Sequence, residues 1–140
     1  MPLNPYLTRR QCLAGIAATA AMPFRSLYSA NGKAMRGALM ILSTPYTEAG
    51  EVDYEDLAQE VAFCDQCGVQ GVVWPQNSSE QRYLSVEERV RGFEVLAAAN
   101  RGRDMVLVLG VQAQDTAGML QYAKVAESLS PDGMIAIPPT

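Results

Sequence analysis

Polar side chains gather at four places along the chain, and each group directly follows an apolar run. The groups are residues 44–46, 76–80, 112–116 and 138–140. Hydroxyl, amide and carboxylate groups that meet at one edge of a sheet can bind and orient a small polar ligand. The loops after the apolar runs are therefore the candidate functional site.

Cys64 and Cys67 form a Cys-x-x-Cys pair, a spacing that occurs in redox and metal sites. The apolar pattern predicts that this pair lies at the C-terminal end of a helix, where the helix dipole opposes a thiolate. A structural zinc site needs four ligands, and the chain has 3 cysteines and no histidine. We expect the pair to serve in packing, with a disulfide, redox chemistry and metal binding as alternatives. No metal or cofactor is predicted.

The composition excludes several classes of protein. The chain has 140 residues, of which 49% are hydrophobic, so it can bury a core and is unlike a disordered chain. Its net charge of −4 argues against a nucleic-acid partner, which needs clustered lysine and arginine. The absence of histidine excludes the Ser-His-Asp triad.

From residue 35 onward, short apolar runs alternate with segments of helical periodicity. Strands are predicted at 38–43, 71–75, 105–111 and 134–137, the first of them buried on both faces. Helices are predicted from an Asp53 cap to Gly68, from a Ser85-x-x-Glu88 capping box to about residue 101, and over 115–129. The predicted inward-facing residues of the three helices are Leu57, Val61, Cys64, Val86, Val90, Phe93, Ala97, Met119, Leu120, Ala123 and Ala126. Trp74, which ends the second strand, is predicted to lie in the core.

The predicted strands begin at residues 38, 71, 105 and 134, which is the spacing of consecutive βα units with parallel strands. An open doubly wound sheet and a closed (β/α)8 barrel both use this spacing. No Gly-x-Gly-x-x-Gly turn follows an early strand, and the polar residues cluster after every strand. Both observations favour an α/β fold of the TIM (β/α)8 barrel type, of which residues 33–140 supply about four βα units.

Several motifs resemble the dihydrodipicolinate synthase / N-acetylneuraminate lyase family. Residues 38–46, together with Gly50, Val52 and Asp53, are similar to the family's first strand and loop. Residues 68–73 resemble its second strand, residues 84–89 the following helix, and residues 131–139 its fourth strand and double proline. The resemblance implies a TIM barrel and a class I aldolase or lyase that acts on pyruvate or another 2-oxo acid through a lysine Schiff base.

The same resemblance implies candidate substrate-binding residues. The family has a Gly-(Thr/Ser)-Thr-Gly-Glu loop that holds the substrate carboxylate, and this chain has Gln76-Asn77-Ser78-Ser79-Glu80 instead. Ser78 and Glu80 match, Asn77 replaces the first hydroxyl, and both glycines are lost, which suggests a divergent substrate. Alternatively, Ser78 and Glu80 only cap the chain between strand and helix. Tyr46 either lines the pocket or packs beneath it.

Two residues that carry the family's chemistry have no match in this chain. The catalytic tyrosine would follow Thr140, and neither lysine, Lys33 nor Lys124, lies at the Schiff-base position. We therefore expect the chain to correspond to the N-terminal half of such an enzyme and to be inactive by itself. The alternative is a non-catalytic protein that binds a small acid or a partner chain. Self-association into a homo-oligomer is a further expectation, because four strands leave open sheet edges.

Residues 1–32 differ in charge from the rest of the chain. They contain three arginines and no acid, whereas the remainder has 8 bases and 15 acids. Arg9 and Arg10 precede a weakly apolar run that is too short to span a bilayer, which takes about 20 residues. This pattern predicts a twin-arginine export signal with a short linker, and export to the bacterial periplasm. The alternative is an N-terminal helix that remains on a cytoplasmic protein.

Overall fold

The computed structural model describes residues 32–137, in which four parallel strands alternate with three helices. The strands are Leu39–Ile41 (β1), Gly71–Trp74 (β2), Val106–Gly110 (β3) and Gly133–Ile135 (β4). The helices are Tyr54–Gln66 (α1), Val86–Ala99 (α2) and Thr116–Ser128 (α3). Every predicted element is confirmed, although all four strands are shorter than predicted. The predicted export signal lies outside the described residues.

The strands lie in the sheet in the order in which they occur in the chain, β1-β2-β3-β4. Met40 is opposite Val72, Val72 is opposite Leu107, and Leu109 is opposite Met134. Because every crossover moves in the same direction, the helices lie on one face of the sheet. A doubly wound sheet reverses this direction at a switch point, so the observed order is that of a barrel.

Alternate residues of the middle strands face two different clusters. Val72 and Trp74 of β2 pack with Leu107 and Leu109 of β3 in the larger cluster, which also contains buried residues of all three helices. Val73, Val106 and Val108 face the opposite side of the sheet and pack against Met35. This alternation follows from the two-residue period of a strand. Trp74 is fully buried, which confirms its predicted place in the core.

The helix starts are set by side-chain caps, as the sequence predicts. The Asp53 carboxylate accepts hydrogen bonds from the backbone N–H groups of Glu55 and Asp56. The Ser85 hydroxyl accepts from the Glu88 N–H at 3.1 Å, and the Glu88 carboxylate accepts from the Ser85 N–H at 2.7 Å. Each cap satisfies backbone donors that have no partner within the helix. The caps therefore fix where the loops after β1 and β2 end.

Three predictions about burial were wrong. β1 is exposed, because it is an outer strand with only β2 beside it among the described residues. Val86 and Leu120, predicted to face inward, are 41% and 57% exposed. The buried face of α2 consists of Arg89, Gly92, Phe93 and Leu96, and that of α3 of Tyr122 and Ala126. Phe93 and Ala126 face inward as predicted. Hydropathy missed the rest of both faces because an arginine, a glycine and a tyrosine occupy inward positions.

No helix between residues 32 and 137 combines the length and the apolar character that a membrane span requires.

Candidate functional site

The polar loops after the strands meet at one edge of the sheet, because the carboxyl ends of parallel strands share that edge. After β2 the chain forms a short 3₁₀ turn over Asn77–Ser79. Glu80 then adopts a φ of 56°, a left-handed conformation that is uncommon for a residue with a side chain. Its backbone N–H donates to the Asn77 carbonyl at 3.2 Å, and its carbonyl accepts from the Tyr83 N–H at 2.9 Å. The loop is thus a defined turn.

Ser79 anchors this turn from below. Its side chain is fully buried, and its hydroxyl donates to the Leu42 carbonyl at 2.6 Å. The same hydroxyl accepts from the Gln76 N–H at 3.0 Å. This role could not be predicted from the loop motif, because Ser79 stands where the family has a glycine and its type indicates only a loss of backbone freedom.

Thr44 links the loops after β1 and β2. Its buried hydroxyl donates to the Ser79 carbonyl at 2.6 Å and accepts from the Trp74 indole N–H at 3.0 Å. Trp74 therefore has a polar partner as well as a place in the core, which is the usual arrangement of a buried tryptophan. Sequence reasoning placed Thr44 in a polar group after β1 but did not identify it as a link between loops.

The predicted binding residues lie above this buried network. Asn77, Ser78 and Glu80 are exposed, and Tyr46 is 41% exposed. The structure brings Tyr46 close to Glu80. The pKa of Tyr46 is raised, mainly by burial. The charges of Glu80 and Glu88 and a hydrogen bond to Glu80 raise it further. Tyr46 also forms an antiparallel bridge with Val52. Tyr46 thus lies beside the loop after β2, and its hydroxyl stays protonated at neutral pH.

We expect replacement of Ser79 by alanine to lower the free energy of unfolding by about 1–3 kcal/mol, because the change leaves the buried Leu42 carbonyl and Gln76 N–H without their partner. Urea unfolding measures the change. The matched control is Ser78→Ala, which alters an exposed hydroxyl and is expected to shift stability by no more than about 0.5 kcal/mol. Equal losses in the two variants would contradict the anchoring role of Ser79.

Both cysteines that the structure describes, Cys64 and Cys67, are free thiols. The structure therefore does not contain the disulfide that was one alternative for this pair. Cys64 is buried on α1 and Cys67 is the exposed C-cap of the same helix. Burial, followed by the charge of Glu60 and the proximity of Cys67, raises the pKa of the Cys64 thiol. Within residues 32–137 no group of three potential ligands is placed to hold a metal ion. Cys64 therefore packs in the core as expected, whereas the expectation that Cys67 serves in packing was wrong, because its side chain is exposed.

In a Cys12→Ser background, we expect a thiol-specific chromogenic reagent at pH 8 to modify Cys67 rapidly and Cys64 only after denaturant is added. The thiolate is the reactive form, and a raised pKa lowers its fraction at any given pH. The Cys67→Ser variant is the control and is expected to show no rapid phase. Rapid reaction of Cys64 in the folded chain would contradict its burial.

Both lysines lie away from the carboxyl edge of the sheet. The Lys33 ammonium donates to the Met105 carbonyl at 2.7 Å and lies 3.2 Å from the Asp132 carboxylate, where β3 and β4 begin. Lys124 is exposed on α3. Lys33 therefore lies at the opposite edge of the sheet from Asn77 and Ser78.

Consecutive parallel strands with helices on one face and polar loops at the carboxyl edge define the (β/α)-barrel class of protein. The chain belongs to the Dihydrodipicolinate synthetase family, whose sequence profile matches residues 34–140. This finding confirms the resemblance that the motifs indicated.

Individual relatives agree with this assignment. The 4-hydroxy-tetrahydrodipicolinate synthase of Methanosarcina mazei is 31% identical over 103 residues, which are 74% of this chain and 34% of that protein. The crystal structure of dihydrodipicolinate synthase from Aquifex aeolicus superposes with a TM-score of 0.70 at 25% identity, covering 75% of this chain and 35% of that one. Proteus mirabilis N-acetylneuraminate lyase gives a TM-score of 0.69 at 27% identity, covering 74% and 35%. The chain thus spans about a third of the length of the relatives it matches.

Proposed function

We propose that this chain is the substrate-carboxylate-binding part of a lyase or aldolase that acts on pyruvate or another 2-oxo acid through a lysine Schiff base. Membership of the family supports the reaction class, since its relatives include proteins named as a synthase and a lyase of this group. The chain's own contribution is the binding of the acid.

The observation that carries the proposal is that Ser79 is buried and anchors the turn whereas its neighbour Ser78 is exposed. Ser79 and Thr44 hold the turn from beneath through buried hydrogen bonds. Asn77 and Ser78 are left exposed at the carboxyl edge, on a turn that does not have to order itself when a ligand binds. A hydroxyl and an amide N–H can both donate to a substrate carboxylate. Preorganised donors of this kind reduce the entropic cost of binding.

The covalent step requires a lysine at the carboxyl edge. Its neutral ε-amine attacks the ketone carbon of the 2-oxo acid, water leaves, and a C=N bond forms that withdraws electrons from the adjacent carbon–carbon bond. Lys33 and Lys124 are placed elsewhere. The proposed reaction therefore draws its lysine from chain beyond the described residues.

Borohydride trapping tests this proposal on the longest product of the reading frame that contains residues 1–140. Hydride adds to the imine carbon and leaves a stable secondary amine, so mass spectrometry is expected to find one reduced pyruvate per chain, attached to a lysine other than Lys33 and Lys124. Ser78→Ala is expected to raise the pyruvate concentration for half-maximal trapping by about tenfold, the loss of one charge-assisted hydrogen bond. The absence of any adduct would rule out the Schiff-base mechanism.

We also propose that Arg9 and Arg10 direct export through the twin-arginine pathway. The support is the paired arginine before a weakly apolar run, in a segment with no acid. Residues 1–35 fused to a reporter that must fold before transport are expected to deliver it to the periplasm, and Arg9→Lys with Arg10→Lys is expected to retain it in the cytoplasm. Export of the double variant at the same level would contradict the proposal.

A further inference from the structure

A cavity of about 570 Å³ lies at the amino edge of the sheet, between the C-terminal ends of α2 and α3. Leu107 of β3 and the loops that precede β3 and β4 complete its wall. Among the described residues, none from the turn that carries Asn77 and Ser78 lines it. The cavity is therefore separate from the site proposed for the 2-oxo acid, which lies at the opposite edge of the sheet.

Two helices end at this cavity, α2 at Ala99 and α3 at Ser128. The C-terminal carbonyl groups of a helix carry a partial negative charge, so cations are favoured beside them. Neither helix has a basic residue in its last turn to meet that charge. The ends of both helices therefore favour a positively charged ligand in the cavity.

The ion pairs of the wall leave more acid than base. Three basic and three acidic side chains line the cavity: Lys33, Arg101, Arg103, Glu94, Asp104 and Asp132. Lys33 is paired with Asp132 at 3.2 Å, and Arg103 is paired with Asp65 outside the wall. Beside these pairs the wall has one base, Arg101, and two acids, Glu94 and Asp104. Glu94 lies 3.3 Å from Arg91, but both side chains are largely exposed and such surface pairs are weak.

Asn100 adds a buried acceptor to this wall, with only 6% of its surface exposed. Its side-chain N–H donates to the Met105 carbonyl at 3.0 Å. This bond fixes the orientation of the amide, because the opposite orientation would bring two oxygens together. Its Oδ1 is buried and has no hydrogen-bond partner in the part of the chain that the structure describes. An unpaired buried acceptor is costly, and a donor bound beside it removes that cost.

We propose that this cavity binds a small aliphatic amine in its ammonium form, whose N–H groups donate to the Oδ1 of Asn100 and to the carboxylate of Asp104. An ammonium group has three donors and no acceptor, which matches a wall of carboxylate, amide and helix C-terminal oxygens. The alkyl part of the ligand contacts the apolar side chains of the wall, which are Ala97, Ala98, Leu107 and Leu129. A bare metal ion would leave these side chains without a partner.

An NMR titration of the isotope-labelled full chain with butylammonium at pH 7 tests the site. Butylammonium has no ketone, so its binding succeeds or fails independently of the proposed Schiff-base chemistry. We expect the side-chain amide signal of Asn100 to shift and to saturate as one site fills. Asp104→Asn is expected to weaken binding about threefold through loss of one exposed charge pair. The matched control is Glu48→Gln, which removes one exposed negative charge at the other edge of the sheet and is expected to leave binding unchanged.

Two further variants act in opposite directions. Arg101→Gln removes a positive charge from the wall and is expected to tighten binding, whereas Asn100→Leu removes the buried acceptor and is expected to weaken it about tenfold. If Asn100→Leu does not fold, the contrast between Asp104→Asn and Arg101→Gln decides the matter. Equal binding of tetramethylammonium, which has the charge but no N–H donor, would overturn the proposal. Equal effects of Asp104→Asn and Glu48→Gln, or the lack of any saturable shift, would overturn it as well.

Discussion

Replacement of Phe93 by alanine is expected to lower the free energy of unfolding by about 3–5 kcal/mol. Phe93 is fully buried on the inner face of α2. Its ring meets Trp74 edge to face, with ring centres 6.2 Å apart, and meets Tyr122 at 6.3 Å. The change removes the transfer free energy of a whole ring and leaves a cavity between the sheet and two helices. Since a domain is typically stable by about 5–15 kcal/mol, much of the fold's stability is at risk.

Urea unfolding followed by far-ultraviolet circular dichroism measures this loss. Phe63→Ala is the matched control, because Phe63 lies on α1 with 66% of its surface exposed, and the change there is expected to cost no more than about 0.5 kcal/mol. Similar losses in the two variants would show that α2 does not pack on the sheet as described.

Replacement of Gly110 by alanine is the second large effect that we expect, a loss of about 3 kcal/mol or more through overpacking. A Cβ atom at this position would lie 1.9 Å from the Pro75 carbonyl oxygen, and backbone cannot swing aside as a flexible side chain can. It would also lie 3.0 Å from the Gln112 side chain, whose amide donates to that carbonyl at 2.8 Å. The change therefore separates the ends of β2 and β3, where the two polar loops begin.

Gly133→Ala provides the control for Gly110→Ala, since it places the same methyl group on another strand of the same sheet. The nearest atom there, at 3.2 Å, is the terminal methyl of Met35, which can rotate away. We expect a change of no more than about 1 kcal/mol, measured by the same unfolding curves. A smaller loss at Gly110 than at Gly133 would contradict the close approach of the two strand ends.

The elements of the fold were largely predictable, because local signals specify them. Asp53 and the Ser85–Glu88 capping box set helix starts through bonds within four residues. The spacing of the apolar runs predicted parallel βα units, and the lack of a dinucleotide-binding turn favoured the barrel. The strand order β1-β2-β3-β4 then distinguished the two architectures, which spacing alone leaves open.

The burial of particular side chains was less predictable. Hydropathy placed Val86 and Leu120 inside and gave no place to Arg89, yet α2 turns its arginine inward, where the backbone carbonyls of Gly110 and Gln112 accept from it. The inward position of Gly92 also depends on a distant partner. A Cβ atom there would lie 2.3 Å from the Trp74 ring, so the glycine leaves room for the indole. Neither fact can be read from the periodicity of one helix, since each depends on a partner in a distant element.

The sequence by itself therefore determined the class of fold, the positions of its elements, the likeness to a family and the loop that carries the candidate binding residues. Such features depend on residue order and on contacts between near neighbours in the chain. Only the tertiary structure decided that Ser79 anchors the loop while Ser78 faces outward, that Thr44 joins two loops, and that Arg89 is buried with the Gly110 and Gln112 carbonyls as its partners. These roles depend on hydrogen bonds and charges between residues 20 to 40 positions apart, which form only when the sheet brings its strand ends together.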